Sequence, residues 1–505
     1  MPFRINGGPR YTLPTTNQPA TTTTPTPTTP TNTTLDPRLA NLNVSNTTVR
    51  TVATPNSSTF ENVRNTTIRR GGTDDDSLGG GVAFKGKGYD VVNEGLVGPD
   101  TDPTRLALRD AIWERLETPT YLLEPRTTKA VDLKALTPAL AEAASGRQAS
   151  TLSKLAQAKP EAAAHLSEFL SNTKGLAKDV RGSLLQTLAS NAQGVAGAVV
   201  AGISGSTAFS AMSAPDKAAL AQVMSRLDEA GLKVLGSMVE RAPEALKDVD
   251  SAGRSLLSNL ATLASQPLHA SLAGHTTTEE LLSGILTDVM NPNRIDQGNA
   301  TTCTVASMQF ELVADEPAEY ARLMAGLSGP KGVVKMQGGG DLRLGPGDAD
   351  ARARNGRSAS QTLFQSAAME YANGRFSNYD PVLGVSINER TGEERLGLRP
   401  DNQQALLEKL FGVTYSIDRL FTEAEGAKAL GKLQGWDARG FRNRPIIVDL
   451  DQGKFNHAVT LEAVTKERVT FRDPYGVLRS MPASTFPKVA VAIHLPTDVK
   501  LNGVG

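Results

Sequence analysis

The stretch RIDQGNATTCTVASM, residues 294–308, contains the only cysteine of the chain, Cys303. The polar residues before it are typical of a turn, and Ala306, Phe310 and Val313 form an apolar helical face that begins just after it. Cys303 is therefore expected at a helix N-terminus, where unpaired N–H groups and the helix dipole lower the pKa of a thiol. The alternative is a buried, unreactive cysteine. A nucleophilic role requires a histidine and an acid elsewhere in the chain.

A predicted hairpin downstream supplies both groups. His457 begins the strand pattern HAVTLEAV, and the next strand pattern, ERVTFR, leads into Asp473. The hairpin would return Asp473 to His457, where its carboxylate could accept Nδ1–H and leave Nε2 to face the thiol. Alternatively, His457 is an ordinary residue at a sheet edge and Asp473 forms a turn before proline. A competing histidine, His494, lies in a strand pattern with no acid close behind it.

The chain after residue 290 has the pattern of an α+β domain, in which helices come first and an antiparallel sheet follows. A Gly-rich stretch at 338–348 predicts a loop or hairpin, and it lacks the lysine and Ser/Thr of a phosphate-binding loop. Helices are predicted at about 303–314, 317–327, 359–373 and 402–411, and strands at 445–450, 457–464, 467–472 and 489–495.

An Ala-, Leu- and Ser-rich region at 105–289 predicts an all-α domain. Leucines and other apolar residues recur at helical spacing, for example from Leu220 to Leu227. Its histidines, His165, His269 and His275, have no neighbouring ligands at metal spacing, so neither a metal site nor a cofactor is expected. Packing, or binding of a protein partner, is the expected role of this domain.

The remaining N-terminal region is low in complexity. Residues 1–80 are dominated by Thr, Pro, Asn and Gly, a composition with too little apolar surface to offset the entropy of ordering. We therefore expect a disordered tail at 1–80, followed by a linker at 81–104. The predicted catalytic domain then occupies 290–505.

Composition excludes several classes of function. Lys+Arg and Asp+Glu number 53 each, so the net charge of zero does not indicate a nucleic-acid partner. The longest apolar run, at 194–203, is about half of a membrane-spanning helix. The N-terminus has no apolar segment typical of a Sec signal peptide, so a cytoplasmic location or export by another route is expected. One cysteine excludes an intramolecular disulfide.

Three motifs together resemble those of papain-like cysteine peptidases. Asp296-Gln297-Gly298, with Cys303 six residues after Gln297, resembles the nucleophile segment of that superfamily. His457-Ala458-Val459 resembles its histidine strand, and Asp473-Pro474-Tyr475-Gly476 resembles its Asn-Ser-Trp-Gly turn. The resemblance covers roughly residues 290–495. The chain departs from the family in lacking the second cysteine of Cys-Gly-Ser-Cys-Trp, and Asp473 and Tyr475 replace the asparagine and the tryptophan.

The resemblance implies a papain-like domain that hydrolyses a protein or peptide substrate without cofactor or metal. Cys303 would be the nucleophile, His457 the general base and acid, and Asp473 the residue that orients the imidazole. Gln297, with the backbone N–H of Cys303, would bind the oxyanion.

Two other functions fit the same residues. Deamidation or transglutaminase-like acyl transfer would use the same Cys303, His457 and Asp473 with a different substrate bond or acceptor. A catalytically inactive papain-like protein that works through its helical domain is the second alternative.

Overall fold

The structure is a computed structural model, and it describes only part of the chain. The predicted tail at 1–80 lies outside the described residues, as do residues 81–96 of the predicted linker. All described residues belong to one unit of the chain, Asn65–Gly505. The described residues are 97–123, 131–144, 146–191, 195–345, 347–348, 350–354, 356–374, 376–441, 443–453 and 456–499.

Helices dominate the chain between residues 103 and 290. Several begin at a side-chain cap that accepts from free N–H groups of the first turn, as Asp102, Ser213, Asp228 and Ser255 do. The α-helices of this part are α1 (Pro103–Glu117), α2 (Thr120–Leu123), α3 (Leu133–Ala143), α4 (Gly146–Ala158), α5 (Pro160–Asn172), α6 (Lys178–Asn191), α7 (Val195–Ser204), α8 (Thr207–Ala211), α9 (Ala214–Met224), α10 (Glu229–Arg241), α11 (Leu256–Ser265) and α12 (Thr278–Met290).

The helical part shares a core with the part that follows it. The predicted apolar face from Leu220 to Leu227 is buried, and so are the leucines on α11. One hydrophobic cluster extends from Leu136 to Ala458 and therefore crosses the predicted boundary at 289/290. Because of this shared core, the last helix of the first part, α12, supports the helix that carries the cysteine.

The second part contains the predicted helices, and their bounds lie within two residues of those expected. They are α13 (Cys303–Asp315), α14 (Pro317–Ser328), α15 (Ala359–Asn373) and α16 (Pro400–Phe411). Two further α-helices were not predicted, α17 (Glu423–Leu433) and α18 (Phe486–Val489).

A six-stranded antiparallel sheet is formed by strands that come after α16, in the order β10-β9-β8-β7-β11-β6. Four of its strands match the predicted ones, whereas β6 and β10 were not predicted. Small hairpin sheets, β1–β2 and β3–β4–β5, lie between the helices. Strand β2 lies within the Gly-rich stretch at 338–348, whereas β1 precedes that stretch. The strands are β1 (Val333–Lys335), β2 (Asp341–Arg343), β3 (Ser377–Asp380), β4 (Val385–Asn388), β5 (Glu394–Arg395), β6 (Tyr415–Arg419), β7 (Ile447–Asp451), β8 (Asn456–Val464), β9 (Arg468–Asp473), β10 (Val477–Pro482) and β11 (Ala490–Pro496).

Helix α13 packs directly on β8. The Ser307 hydroxyl donates to the Ala458 carbonyl at 3.2 Å, and the Thr460 hydroxyl donates to the Ser307 carbonyl at 3.3 Å. Further along the helix, the Arg472 guanidinium lies 4.3 Å from the ring centroid of Phe310. These contacts hold α13 against β8 and β9.

The predicted α+β class is confirmed, with helices and antiparallel sheets in one chain. Within the described ranges, no helix is long and apolar enough to span a membrane.

Candidate active site

Cys303 is the first residue of α13 and is partly exposed. Thr302 precedes it with a non-helical backbone (φ −103°, ψ 20°). Its hydroxyl donates to Oε1 of Gln365 at 2.7 Å and does not cap the helix. The first-turn N–H groups are thus not neutralised by an N-cap side chain, and their positive potential favours a thiolate.

A buried network of polar side chains supports the start of α13. Gln365 donates from Nε2 to Oε1 of Gln309 at 3.0 Å, and Gln309 donates to the hydroxyl of Tyr320 at 3.0 Å. Tyr320 donates in turn to Oδ2 of Asp288 at 2.8 Å. Burial raises the pKa of Asp288, which lies on α12, to about 6. The network therefore connects the helical part to Thr302, the residue before the thiol.

His457 and Asp473 meet at the end of the β8–β9 hairpin. Nε2 of His457 lies 3.0 Å from Oδ1 of Asp473, and both side chains are buried. The residue pair is the one that the hairpin pattern predicts, but the predicted ring nitrogen is wrong. Nε2 meets the acid, which leaves Nδ1 for the thiol. A strand pattern fixes which residues are neighbours and leaves the rotation of the ring to tertiary contacts.

The thiol of Cys303 and the imidazole of His457 shift each other's pKa. Burial raises the pKa of Cys303, but a hydrogen bond and the positive charge of His457, with a backbone hydrogen bond from Ala458, lower it below its ordinary value. Burial lowers the pKa of His457, while hydrogen bonds and charges from Asp473 and Cys303 raise it to about 10. The charged imidazole of His457 thus favours the thiolate form of Cys303.

The second oxygen of Asp473 is held by two groups that sequence reasoning missed. Oδ2 accepts from the backbone N–H of Gly98 at 2.8 Å and from Nε of Arg479 at 2.9 Å. Arg479 also donates to the carbonyl of Gly98. No sequence pattern indicates Gly98, which precedes the whole helical part, and Arg479 lies on the unpredicted strand β10.

Gln297 is buried near the same turn. Its backbone N–H donates to the Pro474 carbonyl at 2.8 Å. Its amide nitrogen, Nε2, lies 3.0 Å from the Ala300 carbonyl and 3.2 Å from the Tyr475 hydroxyl. Its amide oxygen, Oε1, is buried and has no hydrogen-bond partner among the described residues. The structure therefore brings Gln297 to the turn that follows Asp473.

Tyr475 completes the group. Its ring is stacked on the imidazole of His457, with a centroid separation of 6.0 Å and an interplanar angle of 12°. The next residue, Gly476, has φ +72°, and a Cβ there would lie 2.3 Å from the Asn293 carbonyl oxygen. Only glycine therefore allows the Asp473–Gly476 turn to sit so close to the loop before Cys303.

A second buried acid, Asp449, lies beside the pair. It is opposite Ala458 in the β7–β8 register, and its Oδ2 accepts from Nε2 of Gln403 at 3.1 Å. Its Oδ1 is buried with no hydrogen-bond partner in the described chain. Burial raises the pKa of Asp449 to about 7, and its charge works against the thiolate of Cys303. The strand was predicted, but the sequence gives no sign that its acid would be close to the thiol.

His494 is not brought to the thiol by any described contact. It lies on β11 opposite Ile447 and Ile417, and neither ring nitrogen has a hydrogen-bond partner among the described residues. Burial lowers its pKa to about 4. Among the residues that the structure describes, no three or more His, Cys, Asp or Glu side chains are grouped so that they could hold a metal ion.

An apolar turn flanks the loop before the thiol. The Thr301 hydroxyl donates to the Gly384 carbonyl at 2.5 Å. Asp380 accepts from the backbone N–H groups of Val382 and Leu383, which fixes the turn between β3 and β4. The side chain of Leu383 is nevertheless 67% exposed. This turn therefore presents exposed aliphatic surface next to the loop before Cys303.

Comparisons with models of protein families, with curated proteins and with solved structures found no match to this chain.

Proposed function

We propose that the chain is a thiol-dependent hydrolase, a papain-like cysteine peptidase that cleaves protein or peptide substrates. The single observation that carries the proposal is the connected set of Cys303, His457 and Asp473, with the thiol at a helix N-terminus. A thiolate with a hydrogen-bonded imidazolium that is itself oriented by an acid is the arrangement that acyl transfer by a thiol requires.

The proposed reaction begins when the Cys303 thiolate attacks the carbonyl carbon of the scissile amide. The carbon–sulfur bond forms, and the carbonyl π electrons move to the oxygen. As the tetrahedral intermediate collapses, the carbon–nitrogen bond breaks and His457 gives its proton to the leaving amine. His457 then takes a proton from water, which attacks the thioester and releases the acid and the thiolate. Asp473 keeps the imidazole oriented throughout.

A papain-like fold is part of the proposal. Its support is the chain order Gln297, Cys303, His457, Asp473, together with a cysteine-bearing helix that packs on an antiparallel sheet. The helical part shares a core with this domain, and binding of a protein partner through its outer surface remains a prediction.

Incubation with a mixed proteome tests the proposal. Wild type and Cys303→Ala are compared by mass spectrometry of new peptide termini and by ammonia release. We expect new termini only with wild type. A matched variant, His275→Gln, changes an exposed histidine outside the site and should act as wild type does.

Other outcomes would replace the proposal. Ammonia release or crosslinking without new termini would assign the same residues to deamidation or acyl transfer. Absence of any product, with Cys303 in the folded protein unreactive towards iodoacetamide, would indicate an inactive protein that works by interaction.

A further inference from the structure

The amide group of Gln297 has no hydrogen left for an oxyanion. A glutamine amide nitrogen carries two hydrogens. One is directed to the Ala300 carbonyl at 3.0 Å and the other to the Tyr475 hydroxyl at 3.2 Å. The residue that family resemblance selects as oxyanion donor therefore has both of its donors engaged.

The orientation of this amide follows from its neighbours. If the amide were turned over, Oε1 of Gln297 would face the carbonyl oxygen of Ala300, and two acceptors would be in contact. The nitrogen must therefore lie on the side of Ala300. Rotating the whole side chain towards a substrate would break both hydrogen bonds and leave buried polar groups unsatisfied, which is energetically costly.

The Tyr475 hydroxyl, unlike the Gln297 amide, has a hydrogen that is free to be donated to an oxyanion. Its oxygen accepts from Gln297, and no acceptor for its own hydrogen was found among the described residues. Burial raises the pKa of Tyr475 well above its ordinary value, and the charges of Asp473 and Cys303 raise it further. The hydroxyl thus keeps its proton at neutral pH.

The ring of Tyr475 is fixed in place. It stacks on His457, and the turn that carries it is tied to the nucleophile loop by the hydrogen bond from Gln297 N–H to the Pro474 carbonyl. A donor held by stacking on one side and by an amide on the other is preorganised, which is the property that oxyanion stabilisation needs.

We infer that the Tyr475 hydroxyl donates a hydrogen bond to the oxyanion that forms when Cys303 attacks its substrate, and that Gln297 positions this hydroxyl. The inference rests on the proposed thiol chemistry. Tyr475 keeps its proton during the reaction: the carbonyl oxygen gains the electron pair, the hydroxyl stabilises it by hydrogen bonding, and the pair returns when the carbon–nitrogen bond breaks.

In the competing explanation only the ring of Tyr475 matters, and its hydroxyl has no role. The ring would shield the hydrogen bond between His457 and Asp473 from water. Tyr475→Phe separates the two roles because it keeps the stacked ring and removes only the hydroxyl. Tyr371→Phe is the matched control, since that tyrosine lies on α15, outside the proposed site.

The experiment measures steady-state kinetics on a peptide identified in the proteome digest, with iodoacetamide labelling of Cys303 alongside. We expect Tyr475→Phe to lower kcat by roughly 10²–10³-fold, as for loss of one oxyanion donor, with KM nearly unchanged. Labelling should stay at the wild-type rate because alkylation forms no oxyanion. Gln297→Ala should lower kcat less, and the double variant should resemble Tyr475→Phe because both changes act on one hydrogen bond.

Three results overturn the inference, and each has a different meaning. A Tyr475→Phe enzyme with kcat within twofold of wild type rejects the hydroxyl and leaves the thiol mechanism intact. A tenfold slower labelling of Cys303 in Tyr475→Phe would show that the hydroxyl acts on the thiolate instead. An inactive wild type rejects the proposed function itself, and this inference with it.

Discussion

The backbone N–H of Gly98 donates to Oδ2 of Asp473 at 2.8 Å, across a sequence separation of 375 residues. The carboxylate that orients His457 is therefore held from two sides, by Gly98 and by Arg479. Val97, the first residue described, is buried in the cluster that covers one face of the six-stranded sheet. The chain that precedes the helical part thus completes the site.

Truncation on either side of Gly98 tests this relationship. Removal of residues 1–96 should leave activity and the thermal transition nearly unchanged, whereas removal of 1–101 should lower activity at least tenfold. The second deletion leaves the buried Asp473 without one donor and removes the Val97 side chain from the core, and loss of each group costs roughly 1–3 kcal/mol. Val97→Ala, which keeps Gly98, separates packing from hydrogen bonding. Equal activity of the two truncated proteins would contradict the role of Gly98.

The reactivity of Cys303 should depend on pH through His457. His457 lowers the pKa of the thiol, and the pKa of its own imidazole is raised to about 10, so its stabilisation of the thiolate should persist up to about pH 10. In His457→Ala, burial still raises the thiol pKa, so alkylation at pH 6 should fall at least tenfold and recover only at alkaline pH. Iodoacetamide rates from pH 5 to 10 are unambiguous because the chain has one cysteine. A His457→Ala profile equal to that of wild type would remove His457 from the site.

Asp449 should make the protein less stable as pH rises. Its carboxyl pKa is raised by burial from 3.8 to about 7, so the folded state holds a proton that the unfolded state releases. Its contribution to stability is present below about pH 4 and is lost as pH rises to about 7, with an upper limit of about 4 kcal/mol. Asp449→Asn should therefore be more stable than wild type at pH 8, and its Cys303 alkylation profile should move to lower pH. Urea unfolding at pH 4.5 and 8 measures this, with the exposed Glu244→Gln as control. If wild type and Asp449→Asn differed in stability by the same amount at both pH values, the raised pKa of Asp449 would be contradicted.

His494 should have the opposite effect. Burial depresses its pKa from 6.5 to about 4, so the unfolded state takes up a proton that the folded state does not. Its contribution to stability is present above pH 6.5 and is lost as pH falls towards 4, by about 3 kcal/mol in total. Arg419 opposes and Asp401 favours the charged ring. His494→Leu should lose less stability than wild type between pH 7.5 and 5 in urea unfolding, whereas His275→Gln should follow wild type. Equal losses of stability in wild type and His494→Leu would show that the His494 ring is solvated.

Local patterns predicted most of the secondary structure of the second part. The periodicity after Cys303 predicted α13, and the β-branched runs predicted β7, β8, β9 and β11. These succeeded because a strand or helix with one buried face must repeat its apolar residues at the period of its backbone. Strand β6 (Tyr415–Arg419) and strand β10 (Val477–Pro482) were missed. They lie at the two edges of the sheet, where one side has no neighbouring strand and the apolar pattern is weaker.

By itself, the sequence determined which residues could be close. The hairpin between His457 and Asp473 follows from two strand patterns with a short turn, and a cysteine at a helix start follows from one periodic face. Only the tertiary structure decided the rest: the ring nitrogen that meets Asp473, the donor from Gly98, the acid at Asp449 and the two hydrogen bonds that occupy Gln297. Each of these depends on how side chains rotate or on how segments hundreds of residues apart pack against one another. Burial and distance, which set the pKa of every group in the site, exist only in the folded chain.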